Sequence, residues 1–292
     1  MKKAIPILLL LAGTPAAHAA PGEGEVVAVL SHHGGAYMEA FSAFQAGFGA
    51  EVPHLDVSDQ RPAIPRGARQ IVAFGARAAA QKYPSDVDLV YCLAPGYFLD
   101  TGARTASTVK ISMRPASAQF LTRLKAIQPS LHRLTVLWVS EGYTPHMNDL
   151  SAVARASGIE VTLIQVQRIS QLPSLLRKAL PGMDAFFLPP DPLLVTPDTL
   201  QIFRQFSWGN SVPMYATTRG LAQEGAVAAI GVSFKQAGAA AAQALMSLRA
   251  GEQVPDIVYP QEVEMTLNAS AAKSCGITLS REILGQAAYL FP

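Results

Sequence analysis

The sequence alternates short apolar runs with segments whose apolar residues recur at helical spacing, and it does so twice. The first round opens with the apolar run Val26–Leu30 and continues through residues 36–48, where aromatic residues repeat every three or four positions. Short apolar runs followed by amphipathic helices are typical of buried strands in a parallel sheet. The alternation predicts a doubly wound α/β sheet rather than an all-α or an all-β fold.

The alternation begins again after Met113, with a helical segment at 115–127 and an apolar run at 134–139. Two rounds predict an α/β protein with two doubly wound parallel-sheet lobes around a central cleft. No linker rich in Gly, Pro or Ser separates the rounds, so we expect direct strand crossovers between the lobes. The predicted N-terminal lobe is 21–112 plus about 234–256, and the C-terminal lobe is 113–233 plus about 257–292.

The C-terminal third continues the pattern. Apolar runs at 212–216, 226–232 and 262–268 predict strands, and the Ala-rich stretch 237–249 predicts a long helix. A last helix is expected at 283–290.

Residues 1–20 have the pattern of a cleavable signal peptide. Lys2 and Lys3 precede an apolar stretch, and Ala17-His18-Ala19 is a small-x-small cleavage signal. This signal predicts cleavage after Ala19 or Ala20. The apolar run is also too short to span a membrane comfortably. An exported protein of the bacterial periplasm is therefore expected.

Composition excludes several classes of protein. The net charge is only +2 and no basic stripe is present, so nucleic acid is not an expected partner. Half of the residues are hydrophobic, which is ample for a large core, and no later stretch predicts a membrane span.

The two cysteines, Cys92 and Cys275, are predicted to be buried thiols, although an exported compartment leaves a disulfide open. The histidines are scattered, so we expect no metal site and no cofactor.

Enzyme signatures are absent from the sequence. It contains no G-x-S-x-G, no P-loop and no G-x-G-x-x-G after the first strand. Ser31 beside His32 and His33 resembles a nucleophile with a base, but a triad also needs a third group and an oxyanion hole. We expect no catalysis, and an enzyme that uses Ser31 is the least favoured alternative.

One acid stands out because of its position. The apolar run 185–188 ends at Pro189-Pro190, Asp191 follows directly, and Thr196-Pro197 begins a helix. Ligands of open α/β sheets bind beyond the carboxyl ends of the strands. Asp191 is thus predicted either to cap a turn or to accept the ammonium group of a ligand.

The loops at the predicted strand ends are rich in small, hydroxyl and aromatic residues. Such loops suit a small ligand held by backbone amides, hydroxyl groups and an aromatic wall. The helix N-termini that follow them favour a carboxylate, so an amino-acid-like zwitterion is the expected chemistry. For the tyrosines, packing within the protein is the alternative. The predicted ligand-binding residues are His33, Gly34, Gly35, Tyr37, Gly75, Ala76, Tyr97, Tyr143, Pro190, Asp191, Thr217, Thr218 and Ser233.

Several segments carry a resemblance to a known family. They are residues 71–79, 108–112, 184–191, 212–215, 228–234 and 276–279. In their order and spacing the chain resembles the ABC-transporter substrate-binding proteins of the tryptophan/tyrosine-binding type, which have a type I periplasmic-binding-protein fold. The chain departs from the family pattern at Ser233, where the family usually has Asp, at the shortened segment 94–106, and at 60–69.

The resemblance implies a small-molecule ligand between two lobes that close by a hinge motion. It also implies an ABC permease in the inner membrane as partner, with a cytoplasmic ATPase, and ligand loops at 33–37, 75–76, 190–191, 217–218 and 233. We therefore expect a solute-binding protein of an importer, with an aromatic amino acid as one ligand class. A periplasmic sensor or accessory interaction protein that kept the fold without transport is the alternative.

Overall fold

The computed structural model describes residues 25–57 and 63–292, so the predicted signal peptide lies outside the described residues. The strands are β1 Val26–Leu30, β2 His54–Asp56, β3 Gln70–Phe74, β4 Asp88–Cys92, β5 Thr108–Ile111, β6 Arg133–Trp138, β7 Glu160–Gln165, β8 Ala185–Leu188, β9 Met214–Ala216, β10 Ala228–Gly231, β11 Ile257–Val258, β12 Glu264–Asn268 and β13 Tyr289–Phe291. The α-helices are α1 Gly35–Phe48, α2 Ala76–Ala79, α3 Ser117–Ile127, α4 Thr144–Ala156, α5 Leu172–Ala179, α6 Pro197–Asn210, α7 Arg219–Gln223, α8 Phe234–Arg249, α9 Ala269–Ser274 and α10 Arg281–Gln286.

The strands form two sheets, which confirms the predicted two-lobed α/β fold. Within the described ranges, the first sheet has six strands in the order β11-β5-β4-β3-β1-β2, and the second has seven in the order β13-β12-β10-β9-β8-β6-β7. Neighbouring strands run parallel, except that β12 runs antiparallel to β10. The chain passes from the first sheet to the second between β5 and β6, and it returns to the first sheet with α8 and β11.

Helices cover both faces of each sheet, so adjacent residues of one strand enter different cores. In β8, Phe186 packs with Phe203 on one side, and Phe187 packs with Leu124 on the other. Successive side chains of a strand point to opposite faces. This explains why β8 is a continuous apolar run without polar alternation.

Helices α1 and α8 pack closely along the first sheet. Phe41 and Phe44 of α1 are buried, and the facing side of α8 consists largely of alanine. A Cβ atom on Gly238 of α8 would lie 1.9 Å from the carbonyl oxygen of Ala40. The small residues of α8 therefore bring α1, and the cleft residues in its first turn, against the first sheet.

The start of α6 confirms the helix signal at Thr196-Pro197. The Thr196 hydroxyl accepts a hydrogen bond from the backbone N–H of Thr199 at 3.3 Å, and Pro197 is the first helical residue. This helix follows β8 and fixes the direction in which the chain leaves the sheet.

The end of the chain differs from the prediction. Instead of a helix at 283–290, α10 ends at Gln286, and Tyr289–Phe291 form β13 beside β12. Residues 257–258, expected with the C-terminal lobe, pair as β11 with β5 of the first sheet. Elements this short carry too little periodicity to be recognised, and only the pairing partner decides their state.

Both cysteines are buried and free, as predicted. The Cys275 sulfur lies 3.4 Å from the Ser207 hydroxyl in the second lobe, whereas Cys92 is in the first sheet. Within 25–57 and 63–292, no helix is long and apolar enough to cross a membrane.

Candidate functional site

A cleft of about 710 Å³ lies between the lobes. The first turns of α1 and α8 and the loop after β4 line it from the first lobe, and the ends of β9, β10 and β12 with α7 line it from the second. The lining residues are Ala36, Tyr37, Glu39, Leu93, Pro95, Met113, Pro190, Thr217, Thr218, Arg219, Gly220, Gln223, Ala229, Gly231, Val232, Ser233, Phe234, Glu264, Thr266 and Tyr289.

Five of the predicted ligand-binding residues lie in this cleft. They are Tyr37, Pro190, Thr217, Thr218 and Ser233. The Ser233 hydroxyl already caps α8, because it accepts a hydrogen bond from the backbone N–H of Gln236 at 3.2 Å. The remaining eight predicted residues do not line the cleft.

Asp191 differs most from its predicted role as a ligand contact. Its side chain is 0% exposed. One carboxylate oxygen accepts from the backbone N–H groups of Val139 and Ser140 at 2.7 and 2.8 Å, and the other from the Ser140 hydroxyl at 2.6 Å and the N–H of Leu193 at 3.0 Å. Asp191 therefore ties together the loops after β6 and β8, which corresponds to the turn-capping alternative.

Gly75 acts on the cleft indirectly. Its φ angle is +102°, and a Cβ atom there would lie 2.4 Å from the Ser31 hydroxyl oxygen and 2.6 Å from Cε1 of Tyr37. Because Gly75 has no side chain, the Tyr37 ring can lie against the end of β3. Ala76 follows it as the first residue of α2 and is half-buried.

Ser31 is occupied by a structural hydrogen bond. Its Oγ accepts from the backbone N–H of Ala78 at 2.9 Å, in the first turn of α2, and its side chain is buried. This contact satisfies a backbone N–H group at the start of a helix, which gives the buried Ser31 hydroxyl a structural role.

The other predicted residues contact protein groups. Tyr143 is buried, and its hydroxyl donates to the carbonyl of Pro190 at 2.8 Å. Tyr97 packs edge-on against Tyr91. His33 is exposed and stacks on His54, and Gly34 and Gly35 follow it as the N-cap and the first residue of α1.

Charged cleft residues were not predicted from the sequence. The guanidinium carbon of Arg219 lies 4.3 Å from the centre of the Tyr289 ring. Half-buried Glu264 faces the same region, where burial and the charge of Glu39 raise its pKa and the charge of Arg219 opposes that rise. Glu39 belongs to the first lobe and Glu264 to the second, so the two acids approach across the cleft. Glu264 is the first residue of β12, where apolar and polar residues alternate, and no sequence signal marked it as a cleft residue.

Thr217 supplies a polar group without a partner. Its side chain is 3% exposed, and within the described ranges its Oγ1 atom has no hydrogen-bond partner. A buried hydroxyl left unpaired costs about 1–3 kcal/mol. An unpaired buried hydroxyl therefore borders the cleft, because Thr217 is one of its lining residues.

The first turn of α1 adds backbone donors. Gly34 provides no side-chain cap, and Ala36 and Tyr37 of this turn line the cleft, although the N–H of Tyr37 already donates to the carbonyl of Gly34 at 3.3 Å. Uncapped N–H groups at a helix start carry partial positive charge and favour an anionic group. Among the residues described, no group of three or more His, Cys, Asp and Glu side chains has an arrangement suited to a metal ion.

Comparison with known proteins gives one family and one curated relative. The model of a family described as ABC transporter substrate binding protein matches residues 114–290. An uncharacterized protein of Rickettsia prowazekii (strain Madrid E), RP367, is 25% identical over 140 residues, which are 48% of this chain and 46% of the relative. The match thus spans about half the length of that relative.

Solved structures share the fold. The ligand-free, open structure of CD0873, a substrate-binding protein with adhesive properties from Clostridium difficile, has a TM-score of 0.68 at 15% identity and covers 91% of this chain and 98% of its own. An ABC domain from Streptococcus pneumoniae in complex with L-Trp has a TM-score of 0.61 at 13% identity and covers 92% and 100%. A solute-binding protein from Agrobacterium vitis with bound D-fucose has a TM-score of 0.52 at 12% identity, covering 90% and 100%. At these identities the likeness shows the two-lobed type I periplasmic-binding-protein fold.

Proposed function

The chain belongs to the ABC transporter substrate-binding protein family, and we propose that it carries a small solute in the cleft between its lobes to an ABC importer. The observation that carries this proposal is the cleft of about 710 Å³, which is lined by both lobes and bordered by Thr217 with its unpaired hydroxyl. Its volume lies within the roughly 300–1,000 Å³ typical of small-molecule sites.

The cleft chemistry favours a zwitterion with an apolar or aromatic side chain. Arg219 can pair with a carboxylate, and Glu264 with an ammonium group. The rings of Tyr37, Phe234 and Tyr289 offer aromatic surface to the side chain. An amino-acid-like solute uses all three kinds of group, and L-Trp in the pneumococcal structure is consistent with this class.

Location and partners follow from the family. Substrate-binding proteins of this kind are typically exported, so we propose the periplasm as the compartment and an inner-membrane ABC permease as the partner. We assign no catalytic residue and no cofactor.

A ligand screen with matched variants tests the proposal. Thermal unfolding is measured with amino acids, their amides, the corresponding amines and monosaccharides such as fucose. A ligand at 100 times its Kd adds about 2.7 kcal/mol to the free energy of unfolding. We expect zwitterionic aromatic compounds to raise the Tm, and amides and amines to do so less.

Thr217→Val and Thr135→Val form the matched pair. Both remove a buried hydroxyl that has no partner in the described part of the chain, but only Thr217 lines the cleft. We expect both variants to fold and only Thr217→Val to lose much of the ligand response. Equal responses would remove the Thr217 hydroxyl from the site, and a panel without any stabilising zwitterion would overturn the ligand class.

A further inference from the structure

A group of three basic side chains lies buried beside the crossover between the lobes, outside the main cleft. This crossover cluster consists of Lys110 on β5, Arg114 between β5 and α3, and His146 on α4, which are 7%, 8% and 9% exposed. Lys110 belongs to the first lobe and His146 to the second, so the cluster joins the two lobes.

A separate small cavity lies within the crossover cluster. All three side chains line it, together with Phe98 and Tyr143, and its volume is about 20 Å³. A cavity needs about 10–15 Å³ by this measure to hold one water molecule, so one group of that size fits. Pro95, Met113 and Pro190 line both this cavity and the main cleft, which makes the two neighbours.

The positive charge of the cluster is poorly compensated. Among the described residues, no carboxylate lies within 4 Å of any of its three side chains. Asp149 acts electrostatically on Arg114 and His146, but it is exposed, and its carboxylate accepts a hydrogen bond from the Ser117 hydroxyl at 2.5 Å. Buried charges in proteins are normally paired, because an isolated ion loses its hydration.

Lys110 and Arg114 each have more hydrogen-bond donors than the described protein groups use. Lys110 Nζ donates to the carbonyl of Tyr97 at 2.6 Å and lies 3.5 Å from the centre of the Phe98 ring. In the part of the chain that the structure describes, the Arg114 side chain donates one hydrogen bond, from Nη2 to the Tyr259 hydroxyl at 2.9 Å. An ammonium group has three donors and a guanidinium five, so both can serve a further acceptor.

We propose that the crossover cluster binds one compact anionic group, a halide ion or a carboxylate, between the two lobes. The anion accepts hydrogen bonds from the spare donors of Lys110 and Arg114 and replaces the counter-charge that the protein lacks. Because the cluster draws on both lobes, the bound anion stabilises the arrangement that brings these side chains together.

The pKa values of Lys110 and His146 are lowered, as expected for buried basic groups that lack a paired anion. Burial, and then the charge of Arg114, lower the pKa of Lys110 to about 7. Burial and the charges of Arg114 and Lys110 lower the pKa of His146 to about 4, against the opposing charge of Asp149. An anion in the cavity would favour the protonated form of Lys110, so binding should strengthen as the pH falls below 7.

Free anions are tested first. Thermal unfolding of the protein, of Lys110→Met and of Lys273→Met is followed at pH 6 with chloride, bromide or formate, against gluconate at equal ionic strength. Lys273 is an exposed lysine outside the cluster and serves as the matched control. We expect a saturable rise in Tm for the protein and for Lys273→Met, and none for Lys110→Met.

A carboxylate of the solute is the second source of the anion, and only this arm rests on the proposed function. Here the affinity ratio of a solute acid to its amide is measured in the protein and in both variants. If the solute carboxylate occupies the cavity, the unaltered protein should bind the acid at least ten times more tightly than the amide. Lys110→Met should abolish this preference.

The proposal is overturned if Lys110→Met changes neither the free-anion response nor the acid-to-amide ratio. If Lys110→Met does not fold, anomalous diffraction from crystals of the unaltered protein soaked in bromide is the deciding experiment. A bromide ion in the cavity supports the proposal. Bromide found at other positions but not in the cavity overturns it. Failure of the proposed function looks different, because the main cleft would then bind no solute while the halide response persists.

Discussion

The carboxylate of Asp191 holds Ser140 at two points, through its backbone N–H at 2.8 Å and its hydroxyl at 2.6 Å. The two residues stand 51 positions apart, directly after the neighbouring strands β8 and β6. The pair fixes the loop that leads to Tyr143, whose hydroxyl donates to the carbonyl of Pro190 at 2.8 Å. The acid that the sequence marks most clearly thus supports the wall of the cleft from behind.

This geometry makes Asp191→Asn a stability variant. An amide cannot accept from all four donors, and hydrogen bonds to a charged group contribute about 1.5–3 kcal/mol each. We expect a loss of roughly 2–4 kcal/mol in the free energy of unfolding, seen as a lower urea midpoint with an unchanged m-value. Exposed Asp86, as Asp86→Asn, is the control. Equal midpoints for the two variants would show that these hydrogen bonds do not stabilise the fold, and would favour the role of ammonium acceptor that the sequence leaves open for Asp191.

Two glycines of the cleft should respond oppositely to alanine. A Cβ atom on Gly231 would lie 1.8 Å from the carbonyl oxygen of Thr217, whereas one on Gly220 meets nothing within 4 Å. Gly231→Ala forces the ends of β9 and β10 apart and should lower stability by about 2 kcal/mol or more. Gly220→Ala, inside α7, should be neutral or stabilise by up to about 1 kcal/mol. Chemical denaturation measures both, and similar losses would show that the spacing between the strands is not the cause.

Glu264 is expected to select cationic groups of the ligand. Glu264→Gln keeps the shape of the side chain but removes its charge, so it should weaken zwitterionic ligands about tenfold or more and leave neutral ones unaffected. Calorimetric titration with an amino acid and with its deaminated acid separates these cases. Exposed Glu262, which does not line the cleft, is the control as Glu262→Gln. A variant that binds the amino acid as the unaltered protein does would assign the ammonium contact to Glu39.

Lys110 should make stability depend on pH. Its pKa is 10.5 in the unfolded chain and about 7 in the folded one, because burial disfavours the charged form. Between pH 7 and pH 10.5 the unfolded chain binds a proton that the folded chain releases, so stability rises with pH across this window. The slope is at most about 1.4 kcal/mol per pH unit.

Urea denaturation at pH 7, 8 and 9, without compact anions, measures this slope in the protein and in Lys110→Met. As the pH increases, the free energy of unfolding of the unaltered protein should rise relative to that of Lys110→Met. Parallel curves would mean that Lys110 stays protonated in the folded state.

Much of the fold followed from local patterns. The strand Val26–Leu30 and the start of α6 at Thr196-Pro197 were predicted at the residues where they occur, because burial on both faces and helix capping leave marks in a few neighbouring residues. By contrast, the residues of β13 were predicted as part of a helix. A strand of three residues is too short to show an alternating pattern in the sequence, and its pairing with β12 depends on the tertiary structure.

The cleft was predicted in part for a similar reason. Thr217 and Thr218 follow a strand, and the ends of parallel strands meet at one edge of a sheet, so their position in the cleft was foreseeable. Arg219, Glu264 and Tyr289 were missed, because a short helix, an antiparallel strand and the last strand bring them together. No sequence pattern encodes that meeting.

The sequence alone determined the two rounds of α/β alternation, the buried thiols and the family resemblance, because each depends on residues close in the chain or on their order along it. Tertiary structure decided which polar groups are already paired. The Asp191 carboxylate accepts hydrogen bonds from the loop at Val139 and Ser140, about 50 residues away, whereas no carboxylate of the described residues lies within 4 Å of the Lys110 or Arg114 side chain. Pairing is a property of distances in space, and it determines which charges remain available to a ligand.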